Sequence, residues 1–133
     1  IRARKFLKKS NLDYAHGTGH GVGFFLNVHE GPQSISKFNT IQIKEGMVLS
    51  NEPGYYKKES FGIRIENLIF VKKNKKEIFF ENLTLVPIEK ELINYNLLTS
   101  LEKDYLFKYH LNIYSKISKY LNFKERNWLT SFI

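Results

Sequence analysis

The stretch HGTGHGVG (residues 16–23) restricts what this chain can fold into more than any other. Glycine falls at every second position, and His29 follows in HEGP (29–32), so three of the four histidines lie in one short segment. So many glycines argue against a helix, and each one also weakens a strand. An extended segment is predicted over 14–29. It places His16, Thr18, His20 and Val22 on one side and Gly17, Gly19, Gly21 and Gly23 on the other. The glycine side offers bare backbone against which another strand or a ligand can pack closely. The opposite side carries imidazoles.

Two glutamates stand apart from the solvated ones. MVLSNEPGYY (47–56) starts as an apolar strand, and Pro53 pushes Glu52 toward extended angles at its end, ahead of a Pro-Gly turn. FGIRIENLIFVKK (61–73) reads as one strand, with Ile63, Ile65, Ile69 and Val71 on one face and Arg64 and Glu66 on the other. A carboxylate in such a strand needs a partner, because an unpaired buried charge is costly. Arg64 would serve as a salt-bridge partner. A divalent metal would serve as well, since histidine with carboxylates suits Mn2+, Co2+, Fe2+ or Zn2+. Spacing alone leaves both readings open. Asp13 reads as a turn former, and His110 is assigned no role. The absence of cysteine excludes disulfides, thiolate zinc sites and cysteine nucleophiles for this segment.

The remaining elements give an α+β pattern. Residues 2–10 read as the end of a helix that begins before Ile1 and leaves through Asn11 in the left-handed region. KFNTIQIKEG (37–46) carries a short alternation ending in a Glu-Gly turn, and KKNKK turns the chain into EIFFENLTLVPI (77–88), completing an antiparallel meander. Thr99 and Glu102 form a capping box that opens a long helix bearing Leu101, Tyr105, Tyr109, Ile113 and Ile117. Asn122 and Glu125 open another. The net charge of +8 suggests nucleic acid, but 17 of the 21 basic residues are scattered lysines, so a nucleic-acid partner is not expected. No apolar run reaches the length of a membrane span. The chain begins at Ile1 and its one methionine is Met47, so it is expected to be part of a longer polypeptide.

HGTGHGVGFFLNVHEGP (16–32), EGMVLSNEPGYY (45–56) and FGIRIEN (61–67), in this order and spacing, together resemble the aminopeptidase P (Xaa-Pro aminopeptidase) family of pita-bread metallopeptidases, in its eukaryotic cytosolic form. The resemblance covers residues 3–98. LTLVPI and the capped helix are similar to the C-terminal extension of that form. It implies that 1–98 are the C-terminal half of a pita-bread catalytic domain and 99–133 a helical extension. The N-terminal domains and the first half of the catalytic domain would then lie outside this chain.

The resemblance also implies roles. Two divalent ions are expected, Mn2+ foremost, with Co2+ or Zn2+ as alternatives. His20 is implied as a terminal ligand, Glu52 as a ligand of the same ion that also moves protons, and Glu66 as the bridge between both ions. His16 and His29 would act in catalysis by positioning substrate and stabilising the tetrahedral intermediate. Arg64 and Tyr55, with Tyr56, would line the cleft. Such ions generate hydroxide near neutral pH and polarise the scissile carbonyl. The implied reaction removes the N-terminal residue from peptides with proline in second position. The family's two remaining ligands are upstream aspartates that neither Asp13 nor Asp104 matches, so the chain alone is expected to be inactive and to need the rest of its polypeptide. A cytoplasmic homodimer off the membrane is implied. The rival is a non-catalytic pita-bread protein binding peptides, histones or nucleic acid, and the presence of His20, Glu52, Glu66, His16 and His29 argues against it. A basic α+β structural module would leave the alternating glycines unexplained.

Overall fold

Residues 48–74 fold back on themselves as an antiparallel ribbon, interrupted between its two paired parts. In the computed structural model, which describes residues 2–25 and 27–133, strand β3 (Val48–Asn51) pairs with β6 (Asn67–Asn74). Between them in sequence, β4 (Gly54–Lys57) pairs with β5 (Phe61–Arg64). Asn51 faces Asn67 and Gly54 faces Arg64, so one register runs through the gap. It sets Pro53 opposite Ile65 and Glu52 opposite Glu66. Pro53 has no N–H to offer a ladder, yet its carbonyl still accepts from Ile65 N–H at 3.2 Å. Pro53-Gly54, expected as a turn, is thus a break in a chain that stays extended.

The single strand expected over 61–73 is likewise two strands, parted at Ile65 and Glu66. Ile69 and Val71 are buried with Leu49, while Ile63 and Ile65 stay exposed, so the expected apolar face is split between core and surface. β7 (Glu77–Asn82) extends the sheet in the order β3-β6-β7, after a turn in which Lys75 takes φ 54. Residues 37–46 carry no strand, and Gly46 at φ 86 turns the chain toward β3.

The glycine–histidine run is not the long strand expected over 14–29. Only β1 (Gly19–His20) is paired, with β2 (Ser34–Ile35), and Gly21 forms an isolated bridge to Leu49. Leu26 of this motif, like the expected helix start before Ile1, lies outside the described residues. The glycines are required at two places. A Cβ on Gly19 would fall 1.9 Å from the Ser50 carbonyl oxygen, and one on Gly21 would fall 2.1 Å from the Glu30 carbonyl oxygen. At Gly17 the nearest atom is 3.8 Å away, so close packing does not explain that position.

The chain forms two compact units, Ile1–Thr84 and Leu85–Ile133. The first begins with α1 (Lys5–Lys9), after which Asn11 takes φ 56. The second holds α2 (Ser100–Ile117) and α3 (Phe123–Thr130), each opened by the capping box expected of it. Its core is Tyr109, Ile113 and Leu129, with Leu85 and Ile88 packed against them. The sequence reading divides the chain after residue 98, whereas the compact units part after Thr84, because Leu85 and Ile88 bury themselves on the helices. The N-terminal turn of α2 stays exposed, Leu101 by 81%.

Candidate metal centre

His20 and Glu52 meet because backbone draws β1 and the end of β3 together. Glu52 N–H donates to the Thr18 carbonyl at 2.7 Å. Gly19 lies flat against Ser50 with no side chain between them. His20 Nδ1 is 2.9 Å from the Gly21 carbonyl oxygen. A carbonyl can only accept, so Nδ1 carries a proton. In the neutral imidazole Nε2 then turns a lone pair toward Glu52 Oε1, 3.2 Å away. Those two electron-rich atoms repel unless a proton or a cation lies between them.

That arrangement provides a test for a metal. Two donors each about 2.1 Å from one ion, at roughly right angles, are themselves about 3.0 Å apart. The observed separation of 3.2 Å is that of neighbouring ligands. An imidazole that donates its other N–H to a backbone carbonyl is also the usual support for a ligating histidine. His20 and Glu52 therefore fit a divalent ion as a pair. Among the described residues, no three His, Asp or Glu side chains gather closely enough to hold one.

Glu66, opposite Glu52 in register, is engaged elsewhere. Arg64 Nε reaches Glu66 Oε2 at 3.0 Å, so the salt-bridge reading of this pair is present in the structure. Like charges directly across a ribbon are destabilising, and Arg64 offsets that for Glu66. The Tyr56 hydroxyl beside Arg64, then the Glu66 carboxylate, holds the guanidinium above its ordinary pKa.

Tyr56 carries the network on to His16. His16 Nδ1 lies 2.6 Å from the Gly17 carbonyl oxygen and so donates to it, leaving Nε2 to accept from the Tyr56 hydroxyl at 2.9 Å. The Tyr56 ring has room because it lies over bare backbone: a Cβ would come 2.9 Å from it on Gly54 and 2.8 Å from it on Gly62. Tyr55, on the other face of β4, packs edge-on against Phe61. The tyrosine brought to His16 is therefore Tyr56, and it is the pairing of β4 with β5, which lays its ring over Gly54 and Gly62, that selects it. His29 is exposed, and its ring centroid is 4.1 Å from that of His20.

Arg4 was not singled out from the sequence. It pairs with Asp13 at 2.6 Å, donates to the carbonyls of Tyr14 and His16, and lies 3.8 Å from the Tyr14 ring centroid. It braces the loop that presents His16. Asp13 is thus an anchor for Arg4, whose hydrogen bond holds the Asp13 carboxyl below its ordinary pKa. Nothing in the sequence around Arg4 marks this role, because it depends on a loop beyond the helix.

This fold and donor set define a class. Residues 1–73 match the model of metallopeptidase family M24, residues 77–131 match that of the C-terminal region of peptidase M24, and the chain belongs to this family. Its relatives include Xaa-Pro aminopeptidase 1 of Dictyostelium discoideum, 49% identical over 98% of this chain and 23% of that protein. The probable Xaa-Pro aminopeptidase P of Botryotinia fuckeliana is 47% identical over 97% of this chain and 22% of its own length. The solved X-prolyl aminopeptidase of Caenorhabditis elegans, described as a cytosolic enzyme with a di-nuclear active site, matches with a TM-score of 0.89 and 39% identity over 96% of this chain and 23% of that one. A prolidase from Pyrococcus horikoshii matches with a TM-score of 0.55 and 37% identity over 68% of this chain and 24% of its own. The resemblance to aminopeptidase P and the α+β pita-bread class read from the sequence are borne out. The chain spans less than a quarter of the length of these relatives.

Proposed function

We propose that this chain is the C-terminal part of the catalytic domain of an Xaa-Pro aminopeptidase that works with two divalent ions, Mn2+ foremost, with Co2+ or Zn2+ as alternatives. The observation that carries the reading is His20 Nε2 facing Glu52 Oε1 at 3.2 Å. When bound, such ions polarise a carbonyl and make water a nucleophile near neutral pH. His20, Glu52 and, across the ribbon, Glu66 are the residues of this chain that would hold the ions. Two further aspartates come from the preceding part of the polypeptide, so the chain is inactive alone. Glu52 passes a proton to the leaving proline nitrogen. His29 hydrogen-bonds the developing oxyanion. His16, held by Tyr56, orients the substrate together with Arg64, and Tyr56, in place of the Tyr55 expected from the sequence, lines the cleft. The substrates are peptides with proline in second position. The protein acts as a homodimer in the cytoplasm, and no helix of the described residues is long and apolar enough to cross a membrane.

The Arg64–Glu66 ion pair favours one rival, a metal-free peptide-binding member of the family. Assay of the full-length protein on an Xaa-Pro peptide, with and without Mn2+, separates the two. We expect metal-dependent release of the first residue that is lost in Glu66→Ala. Equal turnover in Glu66→Ala, or none in the metal-loaded wild type, removes the peptidase reading. Light scattering at twice the protomer mass is expected for the full-length protein, and a monomer would remove the dimer.

A further inference from the structure

Ser50 is 1% exposed, and its hydroxyl makes two bonds at once. It lies 2.9 Å from His20 N and 3.0 Å from Glu52 Oε1. The amide can only donate, so the hydroxyl accepts from it and sends its single hydrogen to the carboxylate. Oε1 is thereby aimed from one side by Ser50 and faces His20 Nε2 on the other. We propose that Ser50 is a positioning residue, which sets the separation and orientation of the His20–Glu52 donor pair for a divalent cation. The proposal rests on the two-metal reading above.

Packing alone does not require the hydroxyl. The contact between β1 and β3 is already made by Glu52 N–H on the Thr18 carbonyl and by Gly19 against the Ser50 backbone. Removing the hydroxyl frees the carboxylate and leaves those backbone contacts in place, while the His20 N–H loses its acceptor. A carboxylate with a free rotor must be ordered anew at each binding event, which weakens binding. Loss of groups that orient metal ligands typically lowers metal affinity by about 10- to 100-fold.

The test titrates Co2+ into the metal-free full-length protein, followed by visible absorption, and measures kcat and KM separately on an Xaa-Pro peptide with saturating Mn2+. In Ser50→Ala we expect Co2+ affinity to fall by about 10- to 100-fold. We also expect kcat to fall with little change in KM, and the metal-free melting temperature to fall only modestly, through the unpaired His20 N–H. Ser50→Thr keeps a hydroxyl and should restore both affinity and kcat. Ser50→Cys puts a slightly larger, weak donor in the same place and should behave like Ser50→Ala, which covers the case in which the alanine variant folds poorly. Wild-type Co2+ affinity and spectrum in Ser50→Ala would overturn the proposal alone, as would equal impairment in Ser50→Thr. A wild type that takes up no Co2+ overturns the two-metal reading and this proposal with it.

Discussion

A β-carbon at Gly19 would fall 1.9 Å from the Ser50 carbonyl oxygen, in the backbone that leads to Glu52. Gly19→Ala is therefore expected to destabilise the full-length protein by about 3 kcal/mol, since the obstacle is backbone and cannot swing aside. Gly17→Ala, with nothing nearer than 3.8 Å, should cost under about 1 kcal/mol. Urea denaturation of both variants checks the contrast, and equal losses would contradict it. Tyr56→Phe removes the hydroxyl that ties His16 to Arg64. One neutral hydrogen bond is worth about 1 kcal/mol, so turnover should fall by about fivefold. Tyr55→Phe should leave it unchanged, and steady-state kinetics on the same peptide decide between them. Glycines, proline and alternation marked His16, His20, Glu52 and Glu66 one by one in the sequence, and only the family resemblance joined them as a group. The sequence could not rank Tyr56 above Tyr55, because the face of β4 that meets His16 is set by pairing with β5.

Among the elements, the helix caps were readable and the strand breaks were not. Thr99 with Glu102 and Asn122 with Glu125 satisfy backbone N–H groups within a single turn, so the residues that decide the matter are adjacent in sequence. Asn122→Ala should cost about 1 kcal/mol, measured by thermal melting. The division of 61–73 at Ile65–Glu66 leaves no such trace. Apolar alternation continues on both sides of it, and the break follows from Pro53 on the opposing strand. His110, which the sequence left without a role, is buried in α2 with only 3% exposed, and its Nε2 accepts from Ile88 N–H at 3.1 Å. Burial lowers its pKa, partly offset by a bond to the Phe132 carbonyl. The folded unit keeps His110 neutral, whereas the unfolded chain takes up a proton near the ordinary value of 6.5. Its contribution to stability is therefore full above that pH and is lost as pH falls toward the depressed folded value. Melting temperatures between about pH 8 and 5 should show this fall, and it should be weaker in His110→Gln. A His110→Gln profile as steep as wild type would contradict the assignment.

At the scale of the whole molecule, the chain exposes more large apolar side chains than a stable surface carries. Phe24 is 98% exposed and Leu97 80%, in separate units. In the proposed full-length protein such faces are covered by the rest of the polypeptide or by a second copy. Purified alone, the 133-residue chain is expected to bind a hydrophobic dye strongly and to cleave no Xaa-Pro peptide. A dye-silent and active chain would contradict both expectations. The continuous register of the β3–β6 and β4–β5 pairs also makes a ruler of the turn after Lys57. One residue added within 58–60 would slide β5 by a step against β4 and turn its side chains to the opposite face. Glu66 would then stand across from a neighbour of Glu52. Two added residues would keep the facing and still displace the partner. The length of an exposed turn at the tip of the ribbon thus decides which residue stands across from Glu52.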